Sequence, residues 1–400
     1  MQKIAFKPAL VLGAVALASG LACAQTVRGP TPAIAAVPAP AVSTVQLYGI
    51  VDVAYRHTNN EGPKADQSLN KMIGGGMSQS RWGVNITEDL GGGLKAIANL
   101  ENRFNADEGT VSTPFFQQSW VGLQGGFGRL TMGRQYNMLF DLVTSTYASF
   151  PYSPYMEAYK PELGMAMGAR ASNMIKYLAE VGAWRGSLQY SFDEGNRVNA
   201  TTTPAAIPGI VGGATKTAGG YVRYAANGVA AGAGFLRTTL PGGTEVDAWT
   251  LGGSYRTGPV YLNAGYALNK RDRYSANPLA VAADSALLGA YWTGSSNGGF
   301  VPGDADKRQL IKLGFGYQLT PQLNLGAHFF HAKQSGSVKN TNNGKADFIV
   351  AVADYAFSKR TDAYFGVDHT KVSGNAGNVL DGTNGARTRT GITIGMRHRF

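Results

Sequence analysis

The chain has 400 residues, 44% hydrophobic and only 15% charged, with 54 Gly, 19 Tyr, 17 Phe, one Cys and a formal net charge of +11. Glycine is about twice as frequent as usual, yet it follows no three-residue period and is interleaved with aromatics, which excludes collagen and simple low-complexity disorder. A mean hydropathy of -0.13 excludes a bundle of membrane-spanning helices, since each would need about 20 consecutive apolar residues.

Residues 1 to 24 have a basic start (Lys3, Lys7), an apolar run from Ala9 to Leu21, and small residues at Ala22 and Ala24. This pattern predicts a secretory signal peptide cut before Gln25. The rival, a lipoprotein anchor on Cys23, has Gly20 where such signals usually carry Leu. The cut leaves a chain without cysteine, hence without disulfides or thiol catalysis. It also removes Lys3 and Lys7, leaving 34 basic against 25 acidic residues, a charge of +9. Residues 25 to 44, with Pro30, Pro32, Pro38 and Pro40 among Ala and Val, read as an extended linker.

From Val45 to the end the dominant signal is alternation with period two, the signature of strands with one apolar and one polar face. Trp184, Leu188, Tyr190 and Phe192 oppose Arg185, Ser187, Gln189 and Ser191. Ile311, Leu313, Phe315 and Tyr317 likewise oppose Lys312, Gly314, Gly316 and Gln318. Seven short turns are expected near residues 88–93, 124–128, 180–182, 226–228, 256–259, 320–322 and 358–361. Eight long polar connections separate them, near 57–75, 105–114, 137–172, 195–217, 239–246, 270–306, 334–345 and 371–386. Fifteen connections imply about sixteen antiparallel strands with both termini on the short-turn side.

A filled soluble core does not readily accept polar side chains on one face of every strand while large aromatics stay exposed on the other. A wide barrel does, because lipid solvates the apolar face, water fills the lumen, and closure satisfies the backbone. With the secretory signal, the expectation is an all-β, sixteen-stranded transmembrane β-barrel over residues 45 to 400, integral to a bacterial outer membrane. Small residues on the lumen face suit an open channel.

Particular stretches carry a resemblance: Leu47-Tyr48-Gly49-Ile50-Val51-Asp52, Ser80-Arg81-Trp82-Gly83, Glu88-Asp89-Leu90-Gly91-Gly92-Gly93-Leu94-Lys95-Ala96, Val121-Gly122-Leu123, Gly126-Phe127-Gly128, Gly133-Arg134-Gln135, Tyr355-Ala356-Phe357-Ser358-Lys359-Arg360-Thr361 and Gly395-Met396-Arg397-His398-Arg399-Phe400. In this order they resemble the Gram-negative general porins, especially the beta-proteobacterial branch. The resemblance implies a homotrimer of sixteen-stranded barrels, each with a third extracellular loop folded inward to narrow the pore. The Pro-rich linker and the long, aromatic third connection depart from the family pattern.

Within the third connection, Pro161-Glu162-Leu163-Gly164 resembles the family's stretch that carries an acidic eyelet residue, so Glu162 is the acidic constriction candidate, with Asp141 second. Arg81 matches the arginine that the family's second strand points at the eyelet. Arg103 and Arg56 share faces with Glu101 and Asp52 and also read as luminal. Basic rows facing carboxylates filter ions as charged rings do in channels; the alternative is that these arginines only stiffen the wall by pairing with acids. Arg134 has the parity of Leu130 and Met132 and is assigned to a subunit interface. Phe400 ends an alternating run and resembles the signal read by the barrel-insertion machinery. Tyr48, Trp120, Trp184, Tyr190, Trp249, Tyr317 and Tyr355 read as girdle aromatics.

His328 and His331 are three apart on a strand and point to opposite faces, and no HExxH or zinc-ligand spacing occurs. Asp304 and Asp306 fall short of a calcium shell. No metal, cofactor or nucleic-acid partner is expected, the positive charge being spread along the chain. The expected partners are further copies of the chain, outer-membrane lipid and lipopolysaccharide, and small hydrophilic solutes and ions. The reading is a passive general diffusion channel with weak to moderate anion preference, not an enzyme. The alternatives are a substrate-selective channel and, further off, a barrel enzyme or adhesin.

Overall fold

The computed structural model describes residues 43–149, 168–192, 216–240, 243–271, 306–336, 343–374 and 385–400. These form β1 (Thr44–Glu61), β2 (Gln67–Gly74), β3 (Arg81–Gly91), β4 (Leu94–Asn105), β5 (Thr110–Gly125), β6 (Gly128–Tyr136), α1 (Met138–Thr146), β7 (Arg170–Val181), β8 (Trp184–Ser191) and β9 (Lys216–Ala226). Then follow β10 (Val229–Thr239), β11 (Glu245–Thr257), β12 (Val260–Arg271), β13 (Lys307–Gln318), β14 (Leu323–Ser335), β15 (Gly344–Ala356), β16 (Thr361–Gly374) and β17 (Thr388–Arg399).

Every pairing is antiparallel, and β1 pairs with β17, so the sheet closes on itself. The seventeen segments make sixteen staves. Val53–Glu61 of β1 lies along β2 and Thr44–Ile50 lies along β3, so β2 and β3 are the upper and lower parts of one stave. The seven short turns fall where the alternation stops. Two expected long connections are largely strand instead: β1 runs to Glu61 and β2 starts at Gln67, while β4 runs to Asn105 and β5 starts at Thr110. The polar run around Asn59–Glu61 hides this, because a hairpin rising into water on both faces has no apolar side to betray its period. Gly62, at φ 74°, takes the left-handed turn between β1 and β2.

The outward face carries the apolar residues, with Leu188 at 64% and Leu313 at 53% exposure to what is lipid in a membrane, while Gln189, Lys312 and Thr250 are buried inward. Two girdle assignments fail. The Tyr48 hydroxyl donates to Glu101 Oε2 at 3.2 Å and accepts from Asn99 Nδ2 at 3.0 Å, inside the barrel. Trp120, opposite Asn99, shares that face. Both were assigned from residue type at a strand end, whereas register decides the face.

The lumen is also less uniformly polar than expected. From Phe348 to Ala353 β15 is apolar on both faces, the pattern of a strand covered on both sides. Phe348, Val350 and Val352 point inward and are buried in one cluster with Leu310, Phe330, Ile73, Met77 and Tyr364.

The third connection turns into the barrel. Asn137 caps α1, its Oδ1 accepting from Phe140 N at 2.9 Å, and its Nδ2 donates to Gly168 O at 2.6 Å, tying the two ends of the connection together. Met138, Leu139 and Leu142 pack on Tyr221, Leu236 and Ala248 of the inner wall. From the last turn of the helix onward the chain is belted to the inner wall. Arg223 Nη2 donates to Ser145 O at 3.0 Å, Ser254 Oγ to Thr146 O at 2.5 Å, Tyr261 OH to Ala148 O at 2.9 Å and Lys312 Nζ to Ser149 Oγ at 3.0 Å. Tyr147 OH bonds Thr250 Oγ1. Some small luminal residues thus seat the loop and do not simply widen the channel: a Cβ on Gly234 would stand 3.0 Å from Leu139 Cδ2 and 2.9 Å from Tyr221 Cβ.

Two outcomes follow from this packing. Gly234→Val overpacks the bed of α1, at a cost of about 1–3 kcal/mol, and displaces the helix toward the pore axis; single-channel conductance should fall, while the outward-facing Ala233→Val should leave it unchanged. At the seam, Gly49 N and O pair with Phe400 O and N at 3.0 and 3.1 Å, and the Phe400 ring occupies the place of a side chain at Gly49. Deleting Phe400 removes both, and the fraction of heat-modifiable, folded protein recovered from membranes should drop; equal recovery would separate the seam from assembly.

Candidate functional site

The second stave breaks at Gly75–Ser80, and Asp52 of β1 holds the break inward. Asp52 Oδ2 accepts from Ser78 N at 2.6 Å and Met77 N at 3.1 Å, and its carbonyl accepts from Gly75 N at 2.9 Å. Ser80 Oγ accepts from Asp52 N at 2.9 Å. Tyr364 OH donates to Asp52 Oδ1 at 2.5 Å, and Arg397 Nη1 donates to Ser78 Oγ at 2.7 Å. The result is a luminal shelf that brings Gln79 two residues before Arg81.

Register sets Arg81 opposite Arg103 on β3 and β4. Like charges so placed repel, and Glu101, two residues from Arg103 on the same face, relieves them. Glu101 Oε1 is 3.0 Å from Arg103 Nε and 3.9 Å from Arg170 Nη2, and its Oε2 is 3.7 Å from Arg81 Nη1. Gln79 completes the frame: its Oε1 accepts from Arg103 Nη1 at 2.9 Å, and its carbonyl accepts from Arg81 Nε at 3.2 Å. The Tyr136 hydroxyl accepts from Arg103 Nη2, and from Arg170 Nη2 at 2.9 Å, while Arg170 stacks over the Tyr136 ring at 4.4 Å. Three guanidiniums surround one carboxylate, leaving an excess of two positive charges within the lumen. Arg81 and Arg170 keep 13% and 11% exposure, against 1% for Arg103.

Of the expected site residues, Arg81 and Arg103 meet here. Arg56 is luminal but is brought to a different place: its Nη1 and Nη2 bind Asp368 at 2.7 and 2.9 Å, and Thr393 Oγ1 accepts a third bond at 2.7 Å. It matches the wall-stiffening alternative. Asp141 lies in the first turn of α1, where an acid favours the helix dipole, and is neutralised by Lys176 Nζ at 2.7 Å. Arg134, opposite Ser119 on the face of Val121 and Leu123, points outward and donates to Ser172 Oγ at 2.9 Å. Phe400 closes the seam. Glu162 lies outside the described residues.

Sequence reasoning missed Arg170, Tyr136 and Gln79. Arg170 fell within the stretch expected to be loop, where parity gives no face, although β7 begins there. Gln79 had no signal, since its role depends on the break in the stave. Glu101 was legible as luminal, but not as the centre of the group. Farther along the wall, Arg185 stands opposite Arg223 and contacts Glu180, and Arg256 lies 4.8 Å over Tyr261. Arg397 is engaged by Asp362 at 3.0 Å.

The chain is similar over 98% of its length, and 100% of the relative's, to outer membrane porin protein 32 of Delftia acidovorans, at 29% identity. It is 26% identical to a major outer membrane protein P.IB of Neisseria meningitidis serogroup B, over 92% of this chain and 97% of that one. A solved anion-selective porin from Comamonas acidovorans superposes with a TM-score of 0.67 at 25% identity, covering 90% of this chain and 100% of the other. In-vitro folded OmpT of Vibrio cholerae in its trimer form, at 15% identity and a TM-score of 0.62 over 90% of this chain and 99% of its own, shares the fold. The family model for Gram-negative porins matches residues 9–375. With that match and the closed barrel around an inward-turned third loop, the chain belongs to the Gram-negative porins, integral barrels of the outer membrane.

Proposed function

We propose that the protein is a general diffusion porin: a passive, cofactor-free, water-filled channel for small hydrophilic solutes, with a weak to moderate preference for anions and no catalysis. The observation that carries the reading is the group of Arg81, Arg103 and Arg170 around the single carboxylate of Glu101. These guanidiniums line the wall at the constriction, opposed by acids of the third loop, for which Glu162 is the candidate. Asp141 contributes less, being neutralised by Lys176. An eyelet narrower than the Debye length of about 8 Å at physiological salt lies within the field of its wall charges, so their excess enriches anions. The anion selectivity named for the Comamonas structure supports the same sign.

The mature chain begins after a signal peptide ending at Ala24 and assembles as a homotrimer, with Arg134 at the subunit interface and Phe400 as the signal to the insertion machinery. Lipid and lipopolysaccharide surround it. The buried luminal apolar cluster around Phe330 and Phe348 would favour a substrate-selective channel if solutes could reach it. Both side chains are fully buried, which supports the general channel instead.

In a KCl gradient the reversal potential should take the sign of chloride preference. Arg81→Ser lowers the excess from two positive charges to one, and since potential scales with charge the logarithm of the chloride-to-potassium permeability ratio should fall by about half. Gln79→Ala, which removes the amide oxygen that orients Arg103, should shift the ratio the same way without changing any charge. A cation-selective wild type, or an unmoved ratio in Arg81→Ser, would refute the assignment. By contrast, Arg56→Met leaves Asp368 buried without its partner, and thermal unfolding should report a loss of about 3–5 kcal/mol.

A further inference from the structure

Three glycines stand side by side across the inner wall. Register sets Gly232 of β10 opposite Gly252 of β11, Gly252 opposite Gly265 of β12, and Gly265 opposite Lys312 of β13, all with luminal parity. Glycine inside a strand weakens it and marks a place where other chain comes close. Here the approach is from the third connection. A Cβ on Gly232 would stand 2.6 Å from Leu142 Cδ1, one on Gly252 would stand 2.6 Å from Tyr147 Cδ1, and one on Gly265 would fall on Tyr147 Cε2. The row is thus a trough across three staves, and the Tyr147 ring lies over two of them. Its hydroxyl bonds Thr250 Oγ1, Lys312 Nζ stands 5.0 Å from the ring centroid at the end of the row, and Tyr147 is only 2% exposed.

Tyr147 is the residue with which α1 ends. The helix before it is bedded by Leu139 and Leu142, whereas Ser145, Thr146, Ala148 and Ser149 are held to the wall by one hydrogen bond each. In a water-filled lumen such a bond exchanges for a bond to water, and little is lost when it breaks. An aromatic ring removed from water has no such substitute. The ring also cannot turn aside where it sits. The cavity beside it, bordered by Val143, Thr250 and Ala267, has about 30 Å³, room for a water or two and far less than a phenol ring needs. The ring therefore leaves its seat only if the chain that carries it moves away from the wall, into the lumen.

Resting on the reading of the barrel as a water-filled channel, we propose that Tyr147 is a positioning residue of the constriction: its ring, inserted in the trough of Gly252 and Gly265, keeps the third connection on the wall beyond α1. With the ring out of the trough, that chain stands in the path of solutes. Tyr147 itself touches no solute and acts through the connection it holds.

The test uses the purified full-length protein, with single-channel recording for the pore and amide hydrogen exchange for the connection. Tyr147→Ala should lose the steady open level of the wild type and step between it and lower levels, and the amides of Val143–Ser149 should exchange faster while those of the barrel strands keep their protection. Gly265→Ala, which puts a methyl group where the ring lies, should do the same. In the Tyr147→Ala background Gly265→Ala should add nothing, because the ring it displaces is gone. Tyr147→Phe keeps the ring and should keep the steady level, and Ser149→Ala, which removes only the bond from Lys312, should keep it too. Heat-modifiable mobility reports that each variant is folded. A steady wild-type level in Tyr147→Ala, additive effects of the Tyr147 and Gly265 substitutions, or equal losses in Tyr147→Phe and Tyr147→Ala would each overturn the proposal. A wild type that passes no current, with exchange that still follows the ring across the variants, would count against the channel reading and support the seat of Tyr147.

Discussion

The structure depends on one constraint: in a bilayer every backbone N–H and C=O must find a partner within the protein. The seam between β1 and β17, Ile50–Thr58 against Arg399–Gly391, meets it by leaving the sheet without an edge. Once the sheet is closed, each residue's face follows from its parity, and the inside is the only place left for polar side chains. A soluble protein excludes charge from its middle. Here the middle is where charge at membrane depth has to be.

That inversion brings the problems of a polar interior. A buried charge without a partner is costly, and the wall answers stave by stave: Arg56 with Asp368, Arg397 with Asp362, Lys176 with Asp141. Two intrusions use the same devices to narrow the lumen. The third connection is tied down by side chains from β8 to β13, and the break in the second stave is held by both the carboxylate and the backbone of Asp52. Their apolar parts, Leu139 and Leu142 on one and Met77 on the other, are buried against the inner wall. This explains apolar luminal positions in a channel: they are contact surfaces for chain folded into the barrel, as with Met77 on the cluster that includes β15.

Against this background of paired charges, the arginine group around Glu101 differs because its pairing is incomplete. One carboxylate serves three guanidiniums, and the remaining support is neutral: the hydroxyl of Tyr136 and the amide of Gln79. Neutral acceptors orient guanidiniums without cancelling their charge, so the site is both rigid and electropositive. A wall of complete ion pairs would be as rigid and far less selective.

The architecture was legible in the chain because lipid enforces it at every second residue. Alternation at Trp184–Ser191 and Ile311–Gln318 gave strands, faces and turns, and the resemblance gave the family and the role of the third connection. Arg81 and Arg103 could be put on the luminal face by counting from Trp82 and Leu100. What only the tertiary structure decided is how those residues are used, because pairing joins residues distant in sequence. Parity makes Arg56 and Arg103 alike, yet Arg56 meets Asp368 more than 300 positions away, while Arg103 meets Gln79, Tyr136 and an acid it shares with two other arginines. Arg170 entered the group only once β7 was seen to begin there, and Gln79 only once the second stave was seen to break. The period of a strand is local and written in consecutive residues; which luminal charges remain uncompensated depends on the register of staves brought together by closure.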